Sequence, residues 1–292
     1  EAAGDGSQFG ASITYIPQDE PLGLAHAVLT AEEFLGDTAF VMYLGDNLLQ
    51  GGIASLADAF RTNDPDALIL LTKVPDPEHF GVAELENGKV VRLAEKPPEP
   101  KTDLALVGVY MFKPSVFDAA RAIDPSARGE LEITDAIQYL VDSGKNVESH
   151  LVEGWWKDTG RLEDMLEANR QVLDELKHDV RGELIDTTID GRVLIEEGAQ
   201  LERTVVRGPA VIAAGAQLVD AYIGPYSSIG ENVRVERAEI EYSIVLSDSS
   251  ISDLGARMEA SLIGKHSQIS RTSGMPKTFR MLVGDNCEIS LV

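Results

Sequence analysis

The sequence predicts an α/β domain on a mostly parallel sheet, residues 1–179, followed by a hexapeptide-repeat parallel β-helix, residues 180–292. Three observations predict it. Short apolar runs alternate with helical patterns up to about Asp179, the texture then changes, and apolar residues recur every six positions between Val206 and Ile269.

In chain order, the first helical pattern lies between Gly23 and Leu35, where Leu24, Ala27, Val28, Ala31, Phe34 and Leu35 share one face. The apolar run Phe40-Val41-Met42-Tyr43-Leu44 then breaks into Gly45-Asp46-Asn47. Ala67-Leu68-Ile69-Leu70-Leu71 reads as a strand buried on both faces, as does Leu104 to Phe112. After Thr159-Gly160 a second helical stripe carries Met165, Leu166, Val172, Leu173 and Leu176. Strands alternating with helices imply a mostly parallel sheet with helices on both sides. Ligands in such folds sit beyond the carboxyl ends of the strands, where Asp46 would lie.

The second half steps by six: Val206, Ile212, Leu218; Ile223, Ile229, Val235; Val245, Ile251; and Ile263, Ile269. The cassettes VRGPAVI, IGPYSSI, VLSDSSI and IGKHSQI repeat the same spacing. Neither a helix nor an ordinary sheet has that period, whereas a solenoid with short flat faces and tight turns does. Three hexads close one triangular coil, and roughly four or five coils are expected. Flat faces of this kind suit packing against another subunit or against the first domain, and a homo-oligomer of unspecified number is expected.

The formal net charge is −24, from 49 acidic against 25 basic residues, which makes duplex nucleic acid and anionic membrane poor partners. The single cysteine, Cys287, forms no internal disulfide and fits a reducing cytoplasm. No apolar run approaches the ~20 residues needed to cross a bilayer. The opening EAAGDGSQFG has neither the basic start nor the apolar stretch of a signal peptide, and it lacks an initiating Met. The histidines at 26, 79, 150, 178 and 266 show no zinc spacing. There is no P-loop, dinucleotide fingerprint or nucleophile elbow.

Gly45-Asp46-Asn47 is good turn chemistry. A second carboxylate in similar dress stands in Gly154-Trp155-Trp156-Lys157-Asp158-Thr159-Gly160. Two such carboxylates facing one cleft can hold Mg²⁺, which keeps several waters and takes other ligands from substrate phosphates. Asp158 could equally cap a helix N-terminus.

The ordered set Gly4-Asp5-Gly6-Ser7, Pro17-Gln18-Asp19-Glu20-Pro21-Leu22-Gly23-Leu24-Ala25, Leu44-Gly45-Asp46-Asn47, Phe80-Gly81-Val82, Glu95-Lys96-Pro97, Arg128-Gly129-Glu130-Leu131-Glu132-Ile133-Thr134-Asp135 and Lys157-Asp158-Thr159-Gly160 runs through residues 4–160. With the hexapeptide repeats, it resembles the sugar-1-phosphate nucleotidylyltransferase family, and within it the long-form glucose-1-phosphate thymidylyltransferases. The resemblance implies a Rossmann-like nucleotidyltransferase domain followed by a left-handed parallel β-helix. The activity implied is nucleotidyl transfer from dTTP to glucose 1-phosphate, Mg²⁺-dependent, giving dTDP-glucose and pyrophosphate. It implies Asp46 and Asp158 as metal ligands and, with Arg128, as catalytic residues. Gln18, Pro21, Gly23, Leu24 and Asp46 would bind the nucleotide, Gln18 reading the pyrimidine edge and Gly23 letting the base approach the backbone. Gly81, Glu95, Lys96, Leu106 and Arg128 would bind the sugar phosphate, with Lys96 and Arg128 facing its phosphate.

Departures accompany the likeness. Phe80 stands where thymidylyltransferases often carry Tyr, and Ala94 replaces the first Glu of the usual Glu-Glu-Lys-Pro. The family's glycine-rich Gly-Gly-x-Gly-Thr-Arg loop and Pro-Lys pair do not precede Gly4. About 60 residues of the domain, a central strand among them, are therefore expected to be missing, with weak triphosphate binding as the consequence. A competing expectation is a UDP-sugar pyrophosphorylase whose solenoid is an acetyltransferase or regulatory module, with His178 or His266 as the base. A non-catalytic binding protein is the third.

Overall fold

The computed structural model, which describes residues 3–271, 281, 283 and 287–290, resolves the chain into two units, Glu1–Asp158 and Thr159–Val292. In the first unit the strands are β1 (Phe40–Tyr43), β2 (Asn47–Leu49), β3 (Ala67–Lys73), β4 (Gly81–Glu86), β5 (Lys89–Glu95), β6 (Leu104–Phe112), β7 (Val147–Leu151) and β8 (Trp156–Asp158). The helices are α1 (Leu24–Thr30), α2 (Glu32–Leu35), α3 (Ala54–Asn63), α4 (Ser115–Ala122) and α5 (Ile133–Asp142). The single helix expected up to Leu35 is broken at Ala31, leaving Phe34 62% exposed.

The main sheet has the order β5-β4-β6-β3-β7, with β1 also paired to β6. β1, β3, β4 and β7 run one way and β5 and β6 the other. The mostly parallel sheet expected from the sequence is thereby corrected: β3 with β7 is its one parallel pairing among the described residues. The cause is local. Asn87 and Gly88, both at positive φ, close a hairpin between β4 and β5, and β6 then returns between β1 and β3. Alternating apolar runs report spacing, not strand direction.

The expectation of strands buried on both faces holds for β3 and β6. Ile69, Leu71, Tyr110 and Phe112 pack with Val116, Phe117, Ile137 and Leu140 of α4 and α5. Leu68, Leu70, Val107, Val109 and Met111 pack on the opposite face with Phe60 of α3 and with Trp156. Both faces are dry, so the sheet is a rigid base for loops at its edge. No helix among the described residues is long and apolar enough to cross a membrane.

The second unit opens with α6 (Leu162–Asp174) and continues as a parallel β-solenoid of three sheets. The expected stripe of α6 is only partly buried: Leu173 is 2% exposed, whereas Met165 and Val172 are 39% and 52% exposed. Asn169 explains the chosen face, because its amide donates to the Tyr226 carbonyl (3.1 Å) and accepts from Ser228 Oγ (2.6 Å) of the coil. Inside the coil, equivalent residues stack: Ile195 on Ile212 on Ile229, Leu201 on Leu218 on Val235, and Val206 on Ile223 on Ile240. Leu201 meets Leu218, so this turn advances 17 residues, one short of three hexads. The missing residue lies where the chain turns onto the third sheet, between Leu218 and Ile223. The residues there, Asp186, Arg203, Asp220, Arg237 and Asp253, take left-handed φ of 47–57°. Arg203 forks onto Asp220 (2.6 and 2.9 Å) and Arg237 onto Asp253 (2.6 and 3.0 Å). These hydrogen bonds hold both aspartates below the usual carboxylate range.

Because the interior stack is fully dry, Ile212→Ala is expected to cost about 2–5 kcal/mol. Denaturant unfolding followed by circular dichroism measures it; a loss well under 1 kcal/mol would mean that the coil collapses around the gap.

Candidate active site

β1 ends at Tyr43 and the chain turns through Gly45 and Asp46 into β2. Leu44 N–H donates to the Gly108 carbonyl (2.8 Å), and Asn47 N–H to the Leu44 carbonyl (3.1 Å), which holds this turn against β6. β2 pairs antiparallel with β8 so that Asn47 is the register partner of Asp158. The turn reading and the carboxylate reading of Gly-Asp-Asn are therefore compatible: the turn delivers exposed Asp46 beside the strand that carries half-buried Asp158. The capping alternative for Asp158 drops out. Asp158 ends β8, and the residue in the cap position of α6 is Arg161.

Asp158 and Asn47 line a cavity of about 250 Å³ together with Leu24, Gly81, Glu95, Lys96, Leu106 and Arg128. Gly81 begins β4 opposite Glu95, the last residue of β5. Glu95 Oε2 accepts from Thr134 Oγ1 (2.6 Å), and Oε1 accepts from the Arg128 guanidinium (3.4 Å). A Cβ at position 81 would lie 2.8 Å from Thr134 Oγ1 and 2.9 Å from Glu95 Oε2, so the glycine admits this pair. Leu106 and Tyr110, both buried on β6, form part of the lining. Burial first, and the charge of Glu95 second, raise the Tyr110 phenol far above its usual range, so it stays neutral.

Arg128 is not a bare cation. Its guanidinium donates to both oxygens of buried Glu132 (2.9 and 3.0 Å) and lies 3.5 Å from Glu130. The hydrogen bond to Glu132, supported by the charges of Glu132, Glu130 and Glu95, raises its pKa. An incoming phosphate would share Arg128 with these carboxylates. Lys96 lies exposed on the same cavity, with a left-handed φ of 40°.

The other residues singled out for a nucleotide fall outside that lining, Leu24 excepted. Gln18 is exposed, and its Nε2 donates to the Gly23 carbonyl (3.2 Å) and faces His26 Nδ1 (2.8 Å). An amide N–H₂ only donates, so this pairing sets Nδ1 as acceptor and the proton on Nε2. Gly23, at φ 100°, approaches the backbone of Leu131, whose carbonyl would be 2.5 Å from a Cβ. Pro21 is exposed in the same segment. The two solenoid-side histidines have local surroundings: His178 Nδ1 accepts the Val193 N–H (3.3 Å), and His266 sits at an exposed corner.

Sequence reasoning missed Asn47, Gly108, Glu132, Thr134 and Trp156. Gly108 interrupts an otherwise apolar strand, a signal of close approach that was legible. Asn47 stood beside Asp46 in plain view. Glu132 and Thr134 lie in the block quoted for Arg128, and only the fold brings them to Glu95. Phe80, the departure from the family's tyrosine, packs edge-on against Trp156 at 5.7 Å.

Among the described residues no cluster of three or more His, Cys, Asp or Glu side chains could enclose a metal. A carboxylate in the turn that leads into β2 and another at the end of β8, the strand paired with β2, nonetheless suit Mg²⁺, which is held by one or two carboxylates and completed by water and substrate phosphates.

The family model described as Nucleotidyl transferase matches residues 1–175. The glucose-1-phosphate thymidylyltransferase of Streptomyces antibioticus is 51% identical over 99% of this chain and 82% of its own length. The low-salt glycan biosynthesis nucleotidyltransferase Agl11 of Haloferax volcanii is 49% identical with the same coverage of both. A crystal structure from Bacillus anthracis, in complex with a sucrose, matches with a TM-score of 0.53 and 39% identity over 57% of this chain and 68% of that one.

Proposed function

This chain belongs to the nucleotidyl transferase family, and from that premise we propose that it transfers a thymidylyl group from dTTP to glucose 1-phosphate. The products are dTDP-glucose and pyrophosphate, and the metal is Mg²⁺. The pairing of β2 with β8 supports this reading: it sets Asn47, the residue after Asp46, opposite Asp158, and Asp158 lines one cavity with Gly81, Glu95 and Thr134.

An oxygen of the sugar phosphate attacks the α-phosphorus in line; a P–O bond forms there as the bond to pyrophosphate breaks. Such a displacement needs positioning and charge neutralisation rather than a nucleophile on the protein. Glu95, anchored by Thr134, accepts sugar hydroxyls, and Leu106 supplies an apolar surface for the ring. Lys96 and Arg128 orient the phosphate, and Glu132 keeps Arg128 from swinging away. Gln18, whose Nε2 is engaged by Gly23 and His26, presents Oε1 to a pyrimidine N3–H, with Pro21, Gly23 and Leu24 flanking the base. Asp46 and Asp158 would hold Mg²⁺, which on binding neutralises charge on the triphosphate.

Pyrophosphate release by the full-length protein, with Mg²⁺ and glucose 1-phosphate, tests this with dTTP, UTP, CTP, ATP and GTP in parallel. Turnover is expected to be highest with dTTP. One methyl separates thymine from uracil, worth ~1–3 kcal/mol in a pocket, so UTP should trail by about 10–200-fold. A preference for UTP would overturn the thymidylyl assignment and favour the uridylyl alternative.

A further inference from the structure

Resting on the assignment of Asp46 and Asp158 as metal ligands, we infer that Asn47 is the positioning residue that sets the Asp46 carboxylate for the metal. Asn47 is 5% exposed, one of the few buried polar side chains of the first unit, and lies within the site. Its Oδ1 accepts two hydrogen bonds, from Trp156 Nε1 (2.6 Å) and from the Gly108 backbone N–H (3.1 Å). Indole and backbone N–H groups only donate, so they fix which end of the amide is oxygen. The Nδ2 end is thereby aimed, and it donates to Asp46 Oδ1 at 2.8 Å. A flipped amide would put N–H against both donors and oxygen against the carboxylate, losing all three bonds at once.

The amide and its two anchors come from three strands. Gly108 belongs to β6, Trp156 to β8, and Asn47 opens β2. β8 also carries Asp158, the register partner of Asn47. One amide therefore ties the Asp46 turn to the central strand of the sheet and to the strand of the second carboxylate. Gly108 is part of the device: a Cβ there would lie 2.7 Å from both Asn47 Nδ2 and Leu44 Cδ1, so only glycine lets the amide settle on β6. Groups that orient a metal ligand from behind typically change metal affinity about 10–100-fold when removed.

The test is Mn²⁺ binding by the full-length protein with saturating dTTP, read from the enhancement of water-proton relaxation that protein-bound Mn²⁺ gives over Mn²⁺–dTTP alone. Wild type is expected to bind and Asp46→Asn to lose binding. Asn47→Ala is expected to bind about 10–100-fold more weakly. Trp156→Phe keeps a ring against Phe80 but removes the Nε1–H, and a smaller weakening of severalfold is expected. The double variant is expected to be no weaker than Asn47→Ala, because Trp156 acts through the amide. A merely structural Asn47 would lower the melting temperature and leave the affinity of the folded protein unchanged; that result overturns the proposal. Should Asn47→Ala fail to fold, Trp156→Phe decides alone, and wild-type affinity in it overturns the proposal. Equal binding by wild type and Asp46→Asn would instead refute Asp46 as a metal ligand, and the inference would fall with it.

Discussion

Asp46→Asn is expected to lower turnover roughly a hundred- to thousandfold while leaving the melting temperature almost unchanged. The magnitude is that of removing one electrostatic stabiliser from a charged transition state. The side chain is exposed at the end of a turn, so replacing it leaves no cavity. The substitution is nearly isosteric, and the new amide still has an oxygen to accept from Asn47 Nδ2. Position is therefore retained and only the charge is removed. The readout is the Mg²⁺ dependence of kcat and of dTTP KM. A variant that recovers full kcat at high Mg²⁺ would show weakened metal affinity alone. A variant indistinguishable from wild type at every Mg²⁺ concentration would remove Asp46 from the site.

The second large effect is expected at Gly81. Adding one methyl in Gly81→Ala drives a Cβ to within 3 Å of both Thr134 Oγ1 and Glu95 Oε2, which are themselves 2.6 Å apart. Neither can retreat easily. Thr134 is 2% exposed in the first turn of α5, and Glu95 is also tied to Arg128. The carboxylate must shift by roughly half an ångström to reach ordinary contact, and since a full ångström costs about a hundredfold in rate, a loss of about tenfold is expected. The loss should appear in kcat/KM for glucose 1-phosphate, with KM for dTTP little changed. Because the effect runs through Glu95, Gly81→Ala should add little in a Glu95→Ala background. Full additivity would mean that the methyl acts elsewhere, for instance by disturbing the β4–β5 pairing.

The two-part architecture was legible because each half carries a strong physical period. Strands with both faces covered must be apolar throughout, and Ala67–Leu71 and Leu104–Phe112 are. The coil needs an inward residue on each short face, and the hexads from Val206 to Ile269 supply it. What escaped was set by geometry that composition does not encode. Strand direction depended on a two-residue turn at Asn87-Gly88, and the shortened third side of the coil hid Ile240 from the six-residue period.

The site divides in the same way. Asp158, Gly81 and Glu95 stood in short strings whose chemistry is suggestive alone, and the fold brings them to one cavity, with Asp46 in the turn just outside its lining. Arg128 was read as a cation awaiting a phosphate; its neighbours Glu130 and Glu132, visible in sequence, turn out to hold it. Asn47 was passed over because its role depends on Trp156 and Gly108, which lie more than 60 residues away in sequence.

The central claim is a direct nucleotidyl transfer to a sugar 1-phosphate. The most direct test incubates the full-length protein with Mg²⁺, glucose 1-phosphate and dTTP labelled at its α-phosphorus. The account predicts that the label leaves in dTDP-glucose, that the pyrophosphate is unlabelled, and that none is retained on the protein. Label trapped on the protein, or released as dTMP without a nucleotide sugar, would contradict it.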